Sequence, residues 1–422
     1  MKFPSMVRIK QHFDTKTIPD IPEEIRSTLR GFEPQKIISP GQSVAITAGS
    51  RGIHKIDVIL KTLIDELKDI HAKPFIVPAM GSHGGATAEG QKEVLEHYGI
   101  TEETMGVPIK SSMEVKQIGE TLNGIPVFID RNALQADHIV VVNRVKPHTD
   151  FEGDIESGLM KIIAIGLGKQ QAADRYHNEF MKFGHYEVIT SVARETIKKC
   201  RISFGLAVVE NQRDETEIIK VIPGKEIEEA EKELLITARG LLPRIPFDPI
   251  DLLIVNQMGK DFSGTGMDQN VIARTVVSYH KVPSNPKIRR IFVRDLTHNS
   301  GGNATGLGNA DFTTKRLVDK IDRKSSYMNC MTSSSPEAIR IPPYYDTDRE
   351  AIEVALDTIP ENAPQHVRIV HIENTLKLEE MYISEALVPE AKKMKPISIL
   401  GRLDEMKFDE KGNLVTPSGL SV

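Results

Sequence analysis

The sequence predicts an α/β protein: two α/β domains with mainly parallel, Rossmann-like sheets and an interdomain active-site cleft. Three observations carry this. Short apolar runs suited to buried strands alternate with stretches whose apolar residues recur at helical spacing. The runs end in glycine-rich loops that lead into the next helix. The pattern stops once, at Pro243, Pro246 and Pro249, and then restarts. Prolines so close together cannot continue a helix, and they stiffen a connection.

In the first domain, 1–242, Ser43–Thr47 reads as a strand between Gly41 and Gly49. Residues 55–71 place Ile56, Ile59, Leu60, Leu63, Ile64, Leu67 and Ile70 on one helical face. Lys73–Met80 is a second strand and 87–98 a helix. Asp137–Val142, with its Ile-Val-Val-Val run, suits a strand buried on both faces. Helices follow at 155–164, 170–180 and 186–199, then a strand at Ser203–Val209 and an acidic helix at 225–240. The C-terminal domain, 243–400, closes the cleft. It has strands at Asp251–Val255, Ile288–Arg294 and Val367–Ile372, and helices at 312–325, 349–357 and 377–386. Residues 401–422 form a polar tail expected to pack back on the first domain.

Composition narrows the function classes. Lys plus Arg is 54 and Asp plus Glu is 59, a net charge of −5. This argues against a protein that coats nucleic acid or an anionic membrane, and no basic stripe with interleaved aromatics is present. The two cysteines, Cys200 and Cys330, cannot build a Cys₄ metal site or a disulfide framework. Reduced thiols and a start without an apolar signal region fit the cytoplasm. No apolar run is long enough to span a bilayer.

In open α/β sheets, ligands bind beyond the carboxyl ends of the strands. Three loops lie there. Ala48-Gly49-Ser50-Arg51-Gly52 offers backbone amides and a fixed charge for an anion, or is a tight turn with a solvated arginine. Gly81-Ser82-His83-Gly84-Gly85 exposes a histidine suited to acid–base work. Lys146-Pro147-His148-Thr149-Asp150 exposes another. The two imidazoles are either acid and base on opposite faces of one carbon, or metal ligands. Lys161 lies in an apolar helix, either snorkelling to solvent or desolvated and nucleophilic. His177 is by itself an ordinary helix histidine. Asp150, Glu152, Asp154 and Glu156 are a solvated face or a cation site. In the second domain, Gln257 and Lys260 follow a strand and can reach a cleft. Two glycine-rich segments, 263–266 and 299–308, match neither phosphate fingerprint and are either phosphate loops or turns.

Gly81-Ser-His83, Pro147-His148, Lys161, His177 and Gln257-x-x-Lys260 together resemble the nickel-dependent lactate racemase family of 2-hydroxyacid racemases and epimerases. Lys161 and His177 are 16 positions apart, as in that family, and the likeness runs from about residue 40 to 390. The resemblance implies a cofactor, the nickel-pincer nucleotide (pyridinium-3,5-bisthiocarboxylic acid mononucleotide nickel), covalently attached at Lys161. It makes His177 the fourth nickel ligand beside the pincer's sulfur, carbon and sulfur, and soft sulfur donors with one imidazole suit square-planar Ni(II). It makes His83 and His148 the acid–base pair and gives the substrate carboxylate to Arg51, Gln257 and Lys260. It implies hydride transfer to and from the cofactor, a small-molecule 2-hydroxy acid as substrate, and cofactor-maturation enzymes as partners.

The chain departs from the family at three points. Ala48 stands where an aspartate is common, Gly84 where lactate racemase has arginine, and no tryptophan occurs. The smaller residues at 48 and 84 point to a larger 2-hydroxy acid or a sugar acid. Two other functions compete. One is a zinc-dependent hydrolase or lyase using His83, His148 and His177; the other is a non-catalytic binding protein for a sugar acid or nucleotide.

Overall fold

The computed structural model describes residues 2–50, 52–149, 151–278, 280–360, 363–415 and 420, with His177 through its backbone only. The fold is mixed α/β with mainly parallel sheets. The chain divides into two compact units: Thr15–His148 with Glu152–Leu242, and Met1–Asp14 with Thr149–Phe151 and Pro243–Val422. Strand β1 (Ser5–Gln11) thus belongs with the C-terminal part, whereas the sequence reading began its first domain at residue 1. The physical reason is pairing: β1 is hydrogen-bonded on both edges to strands near the C-terminus.

In the first of these units, β2 (Ser43–Ala48), β3 (Lys73–Pro78), β6 (His138–Arg144), β7 (Ile202–Glu210) and β8 (Thr216–Pro223) form one sheet. A separate antiparallel hairpin is made by β4 (Val115–Glu120) and β5 (Pro126–Asp130). The sheet order is β3-β2-β6-β7-β8, parallel except for β8. The helix Ile56–Asp69 buries Ile56, Ile59, Leu60, Leu63, Ile64 and Leu67, the face its spacing predicts, while Ile70 is only partly covered. Ile139 to Val142 are all buried, with Val140 and Val142 joining the same core as that helix. This matches a strand covered on both faces.

The second unit carries β9 (Ile250–Met258), β10 (Ile288–Leu296), β11 (Phe312–Thr314), β12 (Tyr344–Tyr345), β13 (Ile369–Ile372), β14 (Glu380–Ser384) and β15 (Ile397–Glu405). With β1 they form an eight-stranded sheet in the order β12-β11-β10-β9-β13-β14-β1-β15. The β12-to-β13 half is parallel; β14, β1 and β15 add antiparallel pairings. Leu253 and Val255 enter one core and Leu252 and Ile254 the other, as strand alternation requires.

One expected helix is a strand, and another begins with one. Residues 377–386 hold β14, where Met381 and Ile383 alternate into the core with period two. Residues 312–325 begin with β11, whose Thr313 and Thr314 hydroxyls donate to the carbonyls of Val293 and Arg294 at 2.8 Å each. Two shorter helices follow, Lys315–Val318 and Arg323–Thr332. Of the tail, Leu414 is held within the second unit. Leu414 is buried; its N–H donates to Asp348 at 2.9 Å and its carbonyl accepts from Arg294 at 2.6 Å. No described helix is long and apolar enough to cross a membrane.

Candidate active site

β3, β2 and β6 are neighbouring parallel strands, so the loops after Pro78, Ala48 and Arg144 emerge at one edge of the sheet. The segment carrying Lys161 packs onto the same edge. Asn143, near the end of β6, donates from its side chain to the Gly158 carbonyl at 2.9 Å. A Cβ at Gly49 would lie 3.7 Å from Asn143 Oδ1 and 3.8 Å from Ile162 Cδ1; one at Gly81 would lie 3.4 Å from Ile165. Gly166 comes closer still, since a Cβ there would meet the Ala79 carbonyl at 2.7 Å. Contacts at the first two are ordinary, so it is Gly166 whose missing side chain lets the turn after Lys161 close against the end of β3.

Lys161 ends a short helix, Leu159–Lys161, which widens into a π-helical turn over Ile162–Gly166. The sequence predicts a regular helix over 155–164 instead. Such π-turns are frequent at functional sites, because the extra residue changes which side chains point outward. The lysine is half-buried. The turn's start rests on Glu231 of the helix Ile227–Gly240, whose Oε2 accepts the Met160 N–H at 2.9 Å. Glu231 is fully buried, and burial pushes its carboxyl up to about 8 against the pull of the Met160 and Leu159 amides. Among the described residues its Oε1 has no hydrogen-bond partner.

His83 is exposed and extended (φ −66°, ψ 167°) ahead of a single 3₁₀ turn. Its Nδ1 is hydrogen-bonded to the Ser50 hydroxyl. Gly84 has a local reason to be glycine: its φ is +66°, and a Cβ would meet the Gly90 backbone at 2.5 Å. The loop must pass the start of the helix Ala88–His97, so a backbone approach demands the missing side chain. That weakens the sequence reading of Gly84 as extra room for substrate.

His148 is half-buried, and its backbone N–H donates to Glu156 Oε2 at 2.6 Å. Glu156 also accepts from Gly153 N–H at 3.0 Å and from Arg239 at 2.5 Å. It is 2% exposed, and burial raises its carboxyl above the usual range despite those donors. Of the acidic alternation, Glu152 and Asp154 are exposed as a solvated face would be, while Glu156 pins the His148 loop. Asp150 lies outside the described residues.

A buried ion pair went unread in the sequence. Lys169 opens the helix Lys169–Phe183 that carries His177, midway between Lys161 and His177. It is wholly buried, with φ +55°. Its ammonium donates to the Pro78 carbonyl and to Gln91 Oε1 at 3.1 Å, and lies 3.3 Å from Asp130 Oδ2. Burial pushes Asp130 up and Lys169 down, each against the other's charge. Gln91 in turn donates to the carbonyls of Gly81 and His83 at 2.9 and 3.3 Å. One buried ammonium thus joins the end of β3, the His83 loop and the start of the His177 helix.

Two other expected site residues, Gln257 and Lys260, lie in the second unit. Gln257 lies within β9, which runs on to Met258, and its N–H donates to the Glu373 carbonyl at 3.0 Å. The Lys260 ammonium donates to the Gly264 carbonyl and to Asn329 Oδ1 at 2.5 Å. Arg51 lies outside the described residues, as does the His177 side chain. The two glycine-rich segments of the second unit pack on each other: a Cβ at Gly306 would lie 1.6 Å from the Thr265 carbonyl oxygen. That is the geometry of turns. Among the described residues no three His, Cys, Asp or Glu side chains gather closely enough to hold a metal ion.

Residues 8–187 match the lactate racemase N-terminal domain. That segment, rather less than half of the chain, is similar to the N-terminal domain of lactate racemases. Among solved structures it is similar to the lactate racemase apoprotein from Thermoanaerobacterium thermosaccharolyticum. The identity is 16% and the TM-score 0.54, over 88% of this chain and 99% of that one. A protein from Thermotoga maritima is similar at 16% identity and a TM-score of 0.50, over 78% of this chain and 83% of that one. At such identity these two likenesses speak for the fold. No curated protein matches the chain in sequence. The matched segment spans His83, His148, Lys161 and His177.

Proposed function

We propose that the protein is a racemase or epimerase of a 2-hydroxy acid, either lactate-like or a sugar acid. The observation that carries this is the gathering of the His83 and His148 loops and the Lys161 turn at one edge of the sheet, within the racemase-family domain. When hydride returns to the opposite face of C2 the hydroxyl lies on the other side, so a proton carrier for the oxygen is needed in either position, and two strand-end histidines meet that need.

The residues present fit a nickel-pincer nucleotide. A metal held mainly by a tethered nucleotide asks the protein for one lysine and one imidazole rather than a cluster. Lys161 is half-buried at the head of the π-turn, whose Ile162 and Ile165 lie near Gly49 and Gly81. Lys161 would hold the nucleotide and His177 the nickel. When bound, the group supplies a two-electron acceptor and donor for the C2–H bond. The chain's own residues do the rest. One of His83 and His148 takes the hydroxyl proton as the 2-keto acid forms. The other returns a proton when C2–H is remade on the opposite face. The family resemblance gives the substrate carboxylate to Arg51, Gln257 and Lys260.

The test is a pair of variants in protein co-produced with the enzymes that build the nucleotide. Lys161→Ala is expected to lose covalent attachment. His83→Ala is expected to keep the attachment and lose turnover of 2-hydroxy acids in chiral analysis. Full activity in either variant contradicts the assignment.

A further inference from the structure

An imidazole that takes a proton from a substrate hydroxyl must present a lone pair on the nitrogen facing it. Which nitrogen that is depends on the hydrogen bond made by the other. In His83 the Nδ1 atom is engaged by the Ser50 hydroxyl. Both partners of this contact are anchored. The Ser50 carbonyl accepts from the Tyr98 hydroxyl at 3.2 Å, and a Cβ on nearby Gly52 would meet the Tyr98 ring at 3.4 Å. The His83 N–H donates to the Met80 carbonyl at 3.2 Å. Its carbonyl accepts from Gln91, which is itself buried and held by Lys169. The ring and the hydroxyl meet from two loops fixed independently at the ends of neighbouring strands.

We propose that Ser50 is a positioning residue that sets the tautomer of His83. Its oxygen accepts from Nδ1–H, so the neutral ring keeps its lone pair on Nε2, and Nε2 is the base. When the substrate hydroxyl gives up its proton, Nε2 takes it and the ring becomes imidazolium. Nδ1–H still donates to Ser50, so nothing in the contact changes. Returning the proton from Nε2 restores the starting tautomer. With the opposite polarity, Ser50 donating to Nδ1, Nε2 would already carry hydrogen and could accept nothing. The inference rests on the acid–base role proposed for His83, but the tautomer is measurable without it.

The experiment is two-dimensional ¹H–¹⁵N NMR of the imidazoles in the purified chain with no cofactor added, at a pH where the His83 ring is neutral. His83→Gln assigns the signal. The expected result is Nδ1–H in the wild type, a shift towards Nε2–H in Ser50→Ala, and the wild-type pattern in Ser50→Thr. Nε2–H in the wild type, or an unchanged spectrum in Ser50→Ala, overturns the proposal. In the nucleotide-loaded enzyme, Ser50→Ala is expected to lower kcat about tenfold with KM little changed, and Ser50→Thr to restore it. If the tautomers come out as expected while His83→Ala turns over like the wild type, the acid–base assignment fails and the Ser50 contact stands.

Discussion

Glu231 is the buried carboxyl beneath the Lys161 turn, and its ionisation is expected to set much of the pH dependence of stability in this unit. Its pKa is 4.5 in the ordinary state and is pushed to about 8 by burial. The folded protein therefore holds this proton between roughly pH 4.5 and 8, where the unfolded chain releases it. Its stabilising effect is complete below the lower value and is lost as pH rises through the upper one. A difference of that size is worth roughly 5 kcal/mol as an upper figure, since relaxation and water entry soften the penalty. Glu231→Gln keeps an acceptor for the Met160 N–H and removes the titration. Urea unfolding at about pH 6 and about pH 9 is the assay. The wild type is expected to lose a few kcal/mol between these conditions and Glu231→Gln clearly less. Comparing the two cancels other groups raised by burial, such as Asp130, Glu156 and Asp214. Equal losses in both proteins refute the reasoning.

Further outcomes follow from the same geometry. Gly158→Ala places a Cβ 2.3 Å from the Glu231 carboxyl, so it is expected to destabilise by about 1–3 kcal/mol. Most of that cost should vanish in a Glu231→Ala background, a coupling that a double-mutant cycle reads directly. Lys169→Met leaves Asp130 without its partner in a dry site and is expected to cost about 3–5 kcal/mol in denaturant unfolding. Adding Asp130→Asn should recover part of it. Glu156→Ala removes the acceptor of the His148 N–H and is expected to cost about 1–3 kcal/mol and to lower turnover of the loaded enzyme.

Features written in local pattern were legible in the sequence. The 56–69 helix follows from spacing alone, as does the doubly buried β6. The loops bearing His83 and His148 follow from glycine or proline after an apolar run, and the structure sets both at one sheet edge. Features that depend on distant partners were not legible. β14 is short and reads as helix until β1 and β13 flank it. Glu156 sits in an acidic alternation, and only the folded chain sets Arg239 and the His148 amide around it. Lys169 follows two glycines in an unremarkable stretch, and its partners Pro78, Gln91 and Asp130 come from three separate segments. Gly84 shows how a sequence departure misleads, because the reason for its glycine is the Gly90 backbone across the turn.

The central claim is that Lys161 bears a nickel nucleotide between two acid–base histidines. The most direct measurement is intact-mass spectrometry with metal analysis on protein co-produced with the enzymes that build the nucleotide, with a known family member loaded in parallel. The account predicts a covalent adduct that maps to Lys161 and stoichiometric nickel. An unmodified chain, with zinc or with no metal, while the control is loaded, would contradict it.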